Sequence, residues 1–315
     1  MSTRARPIVG IGNTEAQQKF MQENKKYLDE WASLRPVIEQ VFLNRTIHPP
    51  SKETWEKVAH LPDDAPEVRA IEDKYRTDVI VYTLGRIAVD DFSELVSLAG
   101  NGWGVGALKI LRGMYERIVT AAYIAKTPTA SRPFGDSFWT HRLKLWNRLN
   151  TVDPAIAQRV TPEVVETIKT EGRKAEERKK MSLCNACGQV KTIDAWTPLD
   201  LASMAKIAGK SLEDLYAYAY LDPTSHMHAT GAGMSARMTH TDDAWLYKLD
   251  TTAEAQVALT LGHNLILQNL GIQNEYFALG LEDSIHKRLE AYGPVWDRPE
   301  PDDKPAADQL RREAW

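Results

Sequence analysis

The sequence has few of the features that mark a secreted, membrane-spanning or strongly cationic protein. Cysteine occurs only at Cys184 and Cys187 among the 315 residues, so a disulfide framework is not predicted. Every apolar run is far shorter than the roughly 20 residues that span a bilayer, and the first residues lack the apolar core of a secretory signal. The net charge of −4 excludes a chain-wide electrostatic attraction to nucleic acid but leaves a local basic patch open. We therefore expect a cytoplasmic protein that makes no use of a membrane.

Two-residue alternation of apolar and polar side chains is nearly absent, whereas apolar residues recur every three or four positions. This period predicts an all-α fold, a multi-helix bundle with long central helices and little or no β-structure. We expect an N-terminal helix and a proline-broken linker over 1–65 and a main helical domain over 66–290. That domain carries a Cys-x2-Cys loop near 181–196, and a proline-rich, loosely ordered tail follows over 291–315.

The stretch AGNGWGVG, residues 99–106, has glycine at four alternate positions. Its GWGVGA portion matches a variant of the dinucleotide-binding fingerprint, but that motif needs a buried strand before it and a helix is predicted there. A tight turn between two helices is therefore the better interpretation. Further along, Thr251 is predicted to cap a helix that reaches residue 290, with Gly262 or Gly271 as the place of a bend.

The helix after the glycines, ALKILRGMYERIVTAAYIA, is apolar except along one arc. Arg112 and Glu116 stand four residues apart on this arc and can pair directly. The arc is either a solvated face or a polar stripe that lines a cleft in the protein interior. It consists of Lys109, Arg112, Gly113, Glu116, Arg117 and Thr120.

The stretch YLDPTSHMHATGAG, residues 220–233, places two histidines one residue apart after a helix-start signal. In a helix that begins at Asp222, His226 and His228 point to nearly opposite sides and cannot share a metal ion. Ser225 and His228 share a face, which suits hydrogen bonding or proton transfer by His228. The alternative is a structural histidine that is satisfied by local hydrogen bonds.

Cys184 and Cys187 form half of a zinc knuckle, Cys-x2-Cys followed by glycine. Because the chain has no second cysteine pair, the other ligands of a structural zinc would be histidines or would come from a partner. Free thiols in a loop are the alternative. A thioredoxin-like redox motif is disfavoured because it would follow a strand in a βαβ unit.

A basic and aromatic stretch, Trp139 to Arg148, raises the prospect of contact with RNA. Its residues of interest are Trp139, Arg142, Lys144, Trp146 and Arg148, and the mixed-charge run KTEGRKAEERKK follows in the next predicted helix. The alternative is an ordinary solvated face.

Two stretches resemble the bacterial helical family named domain of unknown function 5677. They are ALKILRGMYERIVTAAYI, with its Arg-x3-Glu spacing, and WTPLDLASMAKIAGKSLEDLYAYAYLDPTSHMHAT, in which a Tyr-rich helix leads to Ser-x2-His. The resemblance extends over about residues 70–280. It implies an α-helical fold and a polar set made of Arg112, Glu116, Ser225 and His228, and it brings no established activity.

That family is loosely similar to the HEPN helical domains, many of which are metal-independent RNases of bacterial defence and toxin systems. Those enzymes place an arginine and a histidine on one helix with four to six residues between them. No histidine of this sequence has an arginine at that spacing on a suitable helix. The departure counts against a nuclease of that kind.

Three hypotheses follow from these residues. In the first, the protein is defence-associated and acts on RNA or another phosphodiester without a metal, with His228 as general acid or base, Arg112 stabilising phosphate charge, and Glu116 orienting the arginine. In the second, it is a non-catalytic module that binds a partner or small ligand, and Arg112, Glu116 and His228 form a structural network. In the third, Cys184 and Cys187 bind zinc. We expect a homo-oligomer, a homodimer in the simplest case, and no nucleotide or flavin cofactor.

Overall fold

The computed structural model describes most of the chain between residues 15 and 296. The described residues are 15–43, 45–63, 65–179, 181–183, 190–192, 195–227, 231–235, 237–240, 244–247 and 251–296. The predictions for the end of the tail, for Cys184 and Cys187, and for His228 lie outside these residues.

The all-α prediction is confirmed, since helices make up most of the described chain. Strands in this part form two short antiparallel hairpins. β1 (Met181–Leu183) pairs with β2 (Val190–Thr192), and β3 (Met238–His240) pairs with β4 (Trp245–Tyr247). The helices are α1 Glu15–Glu23, α2 Lys25–Ile38, α3 Lys52–Glu56, α4 Pro66–Gly100, α5 Gly104–Lys126, α6 Ser131–Val152, α7 Pro154–Ala157, α8 Pro162–Glu177, α9 Leu201–Ala208, α10 Lys210–Tyr216, α11 Asp222–Met227, α12 Gly231–Ser235, α13 Thr252–Phe277 and α14 Glu282–Trp296.

The chain divides into two compact units, each assembled from segments that are distant in sequence. Unit 1 consists of Met1–Arg45, Ala88–Met114 and Tyr218–Trp315. Unit 2 consists of Thr46–Ile87 and Tyr115–Ala217. Each unit has its own buried side chains.

Helix α13 provides much of the core of unit 1 because it is apolar around most of its circumference. Its side chains are buried on several sides, including Leu259, Leu265 and Ile266. A Cβ added to Gly262 would lie 2.9 Å from the Leu95 side chain, so the glycine lets α4 pack closely. Gly262 and Gly271 both lie inside α13, and the predicted bend at one of them stays a prediction.

The predicted glycine turn is confirmed and joins α4 to α5. Gly102 has φ of +76°, in the left-handed region that glycine enters at little cost. The buried Thr251 fixes the turn, because its hydroxyl donates to the Gly102 carbonyl and accepts from the Gly104 N–H, both at 3.0 Å. Thr251 precedes α13 without capping it through its side chain, so its hydroxyl serves the turn instead.

The prediction of one helix from Thr251 to residue 290 is wrong, because α13 ends at Phe277. Ala278 adopts the left-handed conformation with φ of 51°, and Gly280 follows with φ of 68°. The Asn274 amide holds this corner by donating to Glu282 at 2.9 Å and accepting from the Leu281 N–H at 2.8 Å. These contacts start α14 as a separate helix.

Unit 2 has a core in which α5 packs among other helices of that unit. Tyr115 is fully buried and its hydroxyl donates to the Leu212 carbonyl at 2.6 Å. Burial, and to a smaller extent the neighbouring Tyr216, raises the pKa of Tyr115, so it stays a neutral donor. A Cβ on Gly172 would lie 2.7 Å from that of Leu143, which shows how closely α6 and α8 approach.

Helix α9 of unit 2 begins with a carboxylate cap. Asp200 accepts from the Ser203 N–H at 2.8 Å. Hydrogen bonds from the Ser203 hydroxyl and then from its backbone N–H lower the pKa of Asp200 below its usual 3.8. A lowered folded-state pKa means that this cap contributes its full stability above pH 3.8 and loses it as the pH falls through the lowered pKa.

We expect the Asp200→Asn variant to retain the cap while removing this pH dependence, because the amide oxygen still accepts but does not titrate. Wild type and Asp200→Asn should have the same melting temperature near neutral pH. As the pH falls through the lowered pKa of Asp200, the melting temperature of the wild type should fall below that of the variant. Asp200→Ala should melt below both at neutral pH. Thermal unfolding followed by circular dichroism across this range measures the effect, and parallel pH curves for wild type and Asp200→Asn would contradict it.

Candidate functional site

Arg112, the first of the predicted site residues, lies on α5 within unit 1 and is half-buried. Its Nε donates to the Thr224 hydroxyl at 2.9 Å and its Nη2 donates to the Tyr220 hydroxyl at 3.1 Å. The guanidinium carbon also lies 4.6 Å from the centre of the Tyr220 ring, and Nη1 is 3.5 Å from the Met227 sulfur. These contacts with Arg112 all come from one continuous segment, Tyr220 to Met227.

That segment reaches Arg112 because its backbone changes helical pitch. Residues Ala217–Leu221 form a π-helical turn before α11 begins at Asp222. Such a turn adds a residue and re-aims the side chains after it. The Thr224 hydroxyl also donates to the Tyr220 backbone carbonyl at 2.5 Å, which fixes the group that accepts from Arg112.

Glu116 and Ser225 are placed differently from Arg112. Glu116 lies one turn further along α5, is half-buried and belongs to unit 2. Ser225 lies on α11, and its hydroxyl donates to the Asp222 carbonyl at 2.7 Å. In this arrangement the Ser225 hydroxyl serves the first turn of its own helix. The joint catalytic role of these residues stays a prediction.

The remaining predicted residues, His228, Cys184 and Cys187, lie outside the described residues. Zinc binding by the two cysteines therefore stays a prediction. Across the residues that the structure describes, no group of three or more His, Cys, Asp or Glu side chains is arranged to hold a metal ion. In the same part of the chain, no helix is long and apolar enough to cross a bilayer.

A second polar cluster lies in unit 2, where a cavity of about 560 Å³ opens. We name it the Trp196 cavity. Cations, carboxylates, hydroxyl groups and aromatic rings share its lining, which includes Arg69, Asp73, Tyr123, Thr127, Thr129, Arg132, Asp136, Ser137, Thr140, Arg178, Lys179, Trp196 and Thr197.

Two arginines of this cavity are held in place by carboxylates. Arg178 forms a two-point contact with Asp136 through Nη2 at 2.7 Å and Nε at 3.0 Å, which raises the pKa of Arg178. Arg132 donates through Nη2 to Glu72 at 3.1 Å and through Nε to Asp73 at 3.3 Å. Both contacts engage Nε and Nη2, so Nη1 of each arginine keeps N–H groups for a further acceptor.

Trp196 is held by other aromatic rings. Its ring centre lies 5.1 Å from that of Phe134 in an edge-to-face arrangement and 5.9 Å from that of Tyr123. The side chain is half-buried and part of its surface reaches the cavity. Edge-to-face packing favours a fixed ring orientation. The indole is therefore a preformed platform beside the arginines.

A second, smaller cavity of about 380 Å³ adjoins the first, and we name it the Phe138 cavity. Ser137, Thr140, Ala195 and Trp196 line both cavities. Phe138, His141 and Lys144 complete the lining of the smaller one, and all three lie on α6 and are exposed.

Sequence reasoning missed the Trp196 cavity, although it noted Trp139 to Arg148 of α6. In the structure, Arg142, Lys144 and Arg148 are exposed while Trp139 and Trp146 are half-buried. The cavity combines positions from 69 to 198, and no local motif connects them. A signal was present in α6 itself, which has no acidic residue after Asp136.

The fold and these clusters define an all-helical protein with arginine-centred polar sites in each of its two units. The chain belongs to the Family of unknown function (DUF5677), whose profile matches residues 78–244, just over half of the chain. Arg112, Glu116, Ser225 and His228 lie within the matched range, whereas Arg69 and Asp73 of the Trp196 cavity precede it. No curated protein and no solved structure matches the chain.

Proposed function

We propose that the chain binds RNA, and that the Trp196 cavity takes one ribonucleotide unit. The observation that carries this proposal is the side-by-side placement of a fixed indole and several guanidinium groups in one cavity. A volume of about 560 Å³ falls within the range of small-ligand sites. A base can stack on the face of Trp196, as bases do on aromatic side chains in single-strand binding proteins.

Arginines of the cavity supply the phosphate recognition. A guanidinium matches the geometry of a phosphate better than an ammonium does. Asp136 and Glu72 orient Arg178 and Arg132 and leave Nη1 of each for the ligand, while Arg69 is exposed on the same lining. Asp73 and Asp136 are engaged by arginines, which reduces their repulsion of an incoming phosphate.

Hydroxyl groups of the lining favour a ribose over a deoxyribose. Thr127, Thr129, Ser137, Thr140 and Thr197 all contribute to the wall. A 2′-hydroxyl both donates and accepts, and is the group by which a protein distinguishes RNA from DNA. The net charge of −4 does not oppose this proposal, because the attraction is local to unit 2.

Titration calorimetry with uridine monophosphate tests the proposal. We expect the affinity to fall about tenfold in Trp196→Ala, since stacking on an aromatic side chain contributes roughly 1–3 kcal/mol per base. Trp196→Phe should keep part of the affinity because a ring remains. Arg69→Ala should also weaken binding, and more strongly at low salt than at high salt.

The matched control is Arg173→Ala, an exposed arginine of α8 that does not line the cavity. It should bind as the wild type does, and thermal unfolding should confirm that each variant is folded. The proposal would be overturned if Arg69→Ala and Arg173→Ala lost equal affinity for uridine monophosphate, or if folded Trp196→Ala bound it as tightly as the wild type.

The Arg112 contacts favour the non-catalytic alternative for the predicted polar set. All three guanidinium nitrogens of Arg112 contact this one segment, Nε through Thr224, Nη2 through Tyr220 and Nη1 through the Met227 sulfur, which is what a structural role requires. Cleavage of RNA by Arg112, Glu116, Ser225 and His228 stays a prediction. Incubation of labelled RNA with EDTA present tests it, and cleavage by wild type that persists unchanged in His228→Ala would remove His228 from the mechanism.

A further inference from the structure

We propose that the site continues from the Trp196 cavity through the Phe138 cavity and along α6, so that its ligand is an extended single strand of RNA. This inference rests on the proposed function and names the kind of RNA that the site takes. Charge, aromatic surface and continuity of the groove each support an RNA strand as the ligand.

The Trp196 cavity and the Phe138 cavity share part of their walls. Ser137, Thr140, Ala195 and Trp196 line both cavities, so a ligand that stacks on Trp196 already contacts the wall of the smaller cavity. A closed nucleotide pocket would end at this wall. Here the wall opens onto the exposed surface of α6.

Charge along α6 matches a phosphate backbone. Ser137, His141, Lys144 and Arg148 recur at helical spacing and therefore follow one face of the helix. Both cations of this stripe are exposed, and α6 carries no acidic residue after Asp136. An anionic chain on this face thus meets cations without an intervening carboxylate of α6.

An aromatic ring lies beside the stripe. Phe138 is 50% exposed, which leaves part of its ring surface for a base. The Arg142 guanidinium lies over the same ring, 4.8 Å from its centre, and Trp139 packs against it edge-on at 5.0 Å. These contacts hold the ring in place, as a stacking platform requires.

The length of the stripe sets the length of the strand. From Ser137 to Arg148 the helix rises about 16 Å at 1.5 Å per residue. Fully stacked nucleotides advance about 3.4 Å each and an extended strand advances further, so this distance accommodates at most about five nucleotides beyond the one in the Trp196 cavity. A six-nucleotide RNA is therefore the natural probe.

Fluorescence anisotropy with a labelled hexauridylate and competition by uridine monophosphate test the inference. We expect the hexanucleotide to bind at least tenfold more tightly than the mononucleotide. Phe138→Ala and the double variant Lys144→Ala/Arg148→Ala should remove most of this advantage without weakening mononucleotide binding, while Phe138→Tyr should retain it. The double variant should also lower the slope of log affinity against log salt by about 1.4, or 0.7 for each phosphate contact on a single strand.

The outcomes distinguish the two proposals. If uridine monophosphate does not bind, the proposed function fails. If it binds but the hexanucleotide is no tighter, or if the α6 variants weaken both ligands equally, the extended strand is wrong and the single nucleotide site stands. An oligoglutamate of equal charge serves as a competitor. Competition as effective as that of RNA would assign the α6 face to an acidic peptide and overturn the inference.

Discussion

Replacing Gly104 with alanine is expected to destabilise unit 1 by roughly 3 kcal/mol or more, among the largest effects of a single methyl group. A Cβ at this position would overlap backbone atoms of Thr251, Glu254 and Ala255 at the start of α13. Backbone atoms inside a helical turn cannot move aside as a flexible side chain can. The Gly104 N–H bond to Thr251 would be lost in the same displacement.

Gly106, two residues further along α5, is the matched control. A Cβ there would lie 3.5 Å from the Leu98 side chain, an ordinary contact. Because alanine is favoured over glycine inside a helix, Gly106→Ala should raise the free energy of unfolding by about 0.5–1 kcal/mol. Urea unfolding followed by circular dichroism measures both variants. A Gly104→Ala protein as stable as Gly106→Ala would show that the two segments are not packed this closely.

The same glycines show how far the sequence predicts the fold. Four glycines at alternate positions were enough to predict a turn before α5, because each one weakens a helix locally. The reason that Gly104 in particular has no side chain lies 147 residues away, at Thr251. Local pattern thus predicts where a helix ends, while the partner that requires the glycine becomes visible only in three dimensions.

The end of α13 could not be predicted for a related reason. Gly262 and Gly271 are the obvious weak points of the sequence, yet packing against Leu95 stabilises the helix through the first of them. The helix ends instead at Phe277, and the next residue, Ala278, has a positive φ that alanine seldom adopts. The Asn274 side chain makes this conformation stable by bonding to residues seven and eight positions ahead.

One of the two candidate sites could be predicted from the sequence, and the other could not. The polar arc on α5 was visible as a helical pattern, and in the structure it is neither fully solvated nor sealed, since Lys109 is exposed and Arg112 is half-buried. The Trp196 cavity was not visible, because Arg69, Arg132, Arg178 and Trp196 stand far apart in sequence. Side chains that converge from separate helices leave no spacing that a single sequence reveals.

Replacing Arg112 with alanine is expected to lower the free energy of unfolding by about 2–3 kcal/mol. Hydrogen bonds to a charged group contribute roughly 1.5–3 kcal/mol, and truncation here removes bonds to both Thr224 and Tyr220. The contact between the guanidinium and the Tyr220 ring is lost with them. The half-buried position of Arg112 keeps the effect below that of a sealed ion pair.

Lys109→Ala is the control, because Lys109 is an exposed cation one turn earlier on α5. Its loss should change the free energy of unfolding by less than about 0.5 kcal/mol. Arg112→Lys should fail to restore stability, since an ammonium cannot donate in two fixed directions to Thr224 and Tyr220 while covering the ring. Tyr220→Phe removes one of the bonds and should cost about half as much as Arg112→Ala.

Chemical denaturation of these four variants decides between the structural and catalytic hypotheses for Arg112. A graded loss in the order Arg112→Ala, Tyr220→Phe, Lys109→Ala would mean that the arginine fixes the π-helical segment and α11 against α5. Equal stability of Arg112→Ala and Lys109→Ala would mean that these bonds contribute nothing to folding. A half-buried cation retained without any benefit to stability would then point to a ligand, and the phosphodiester hypothesis would gain its first physical support.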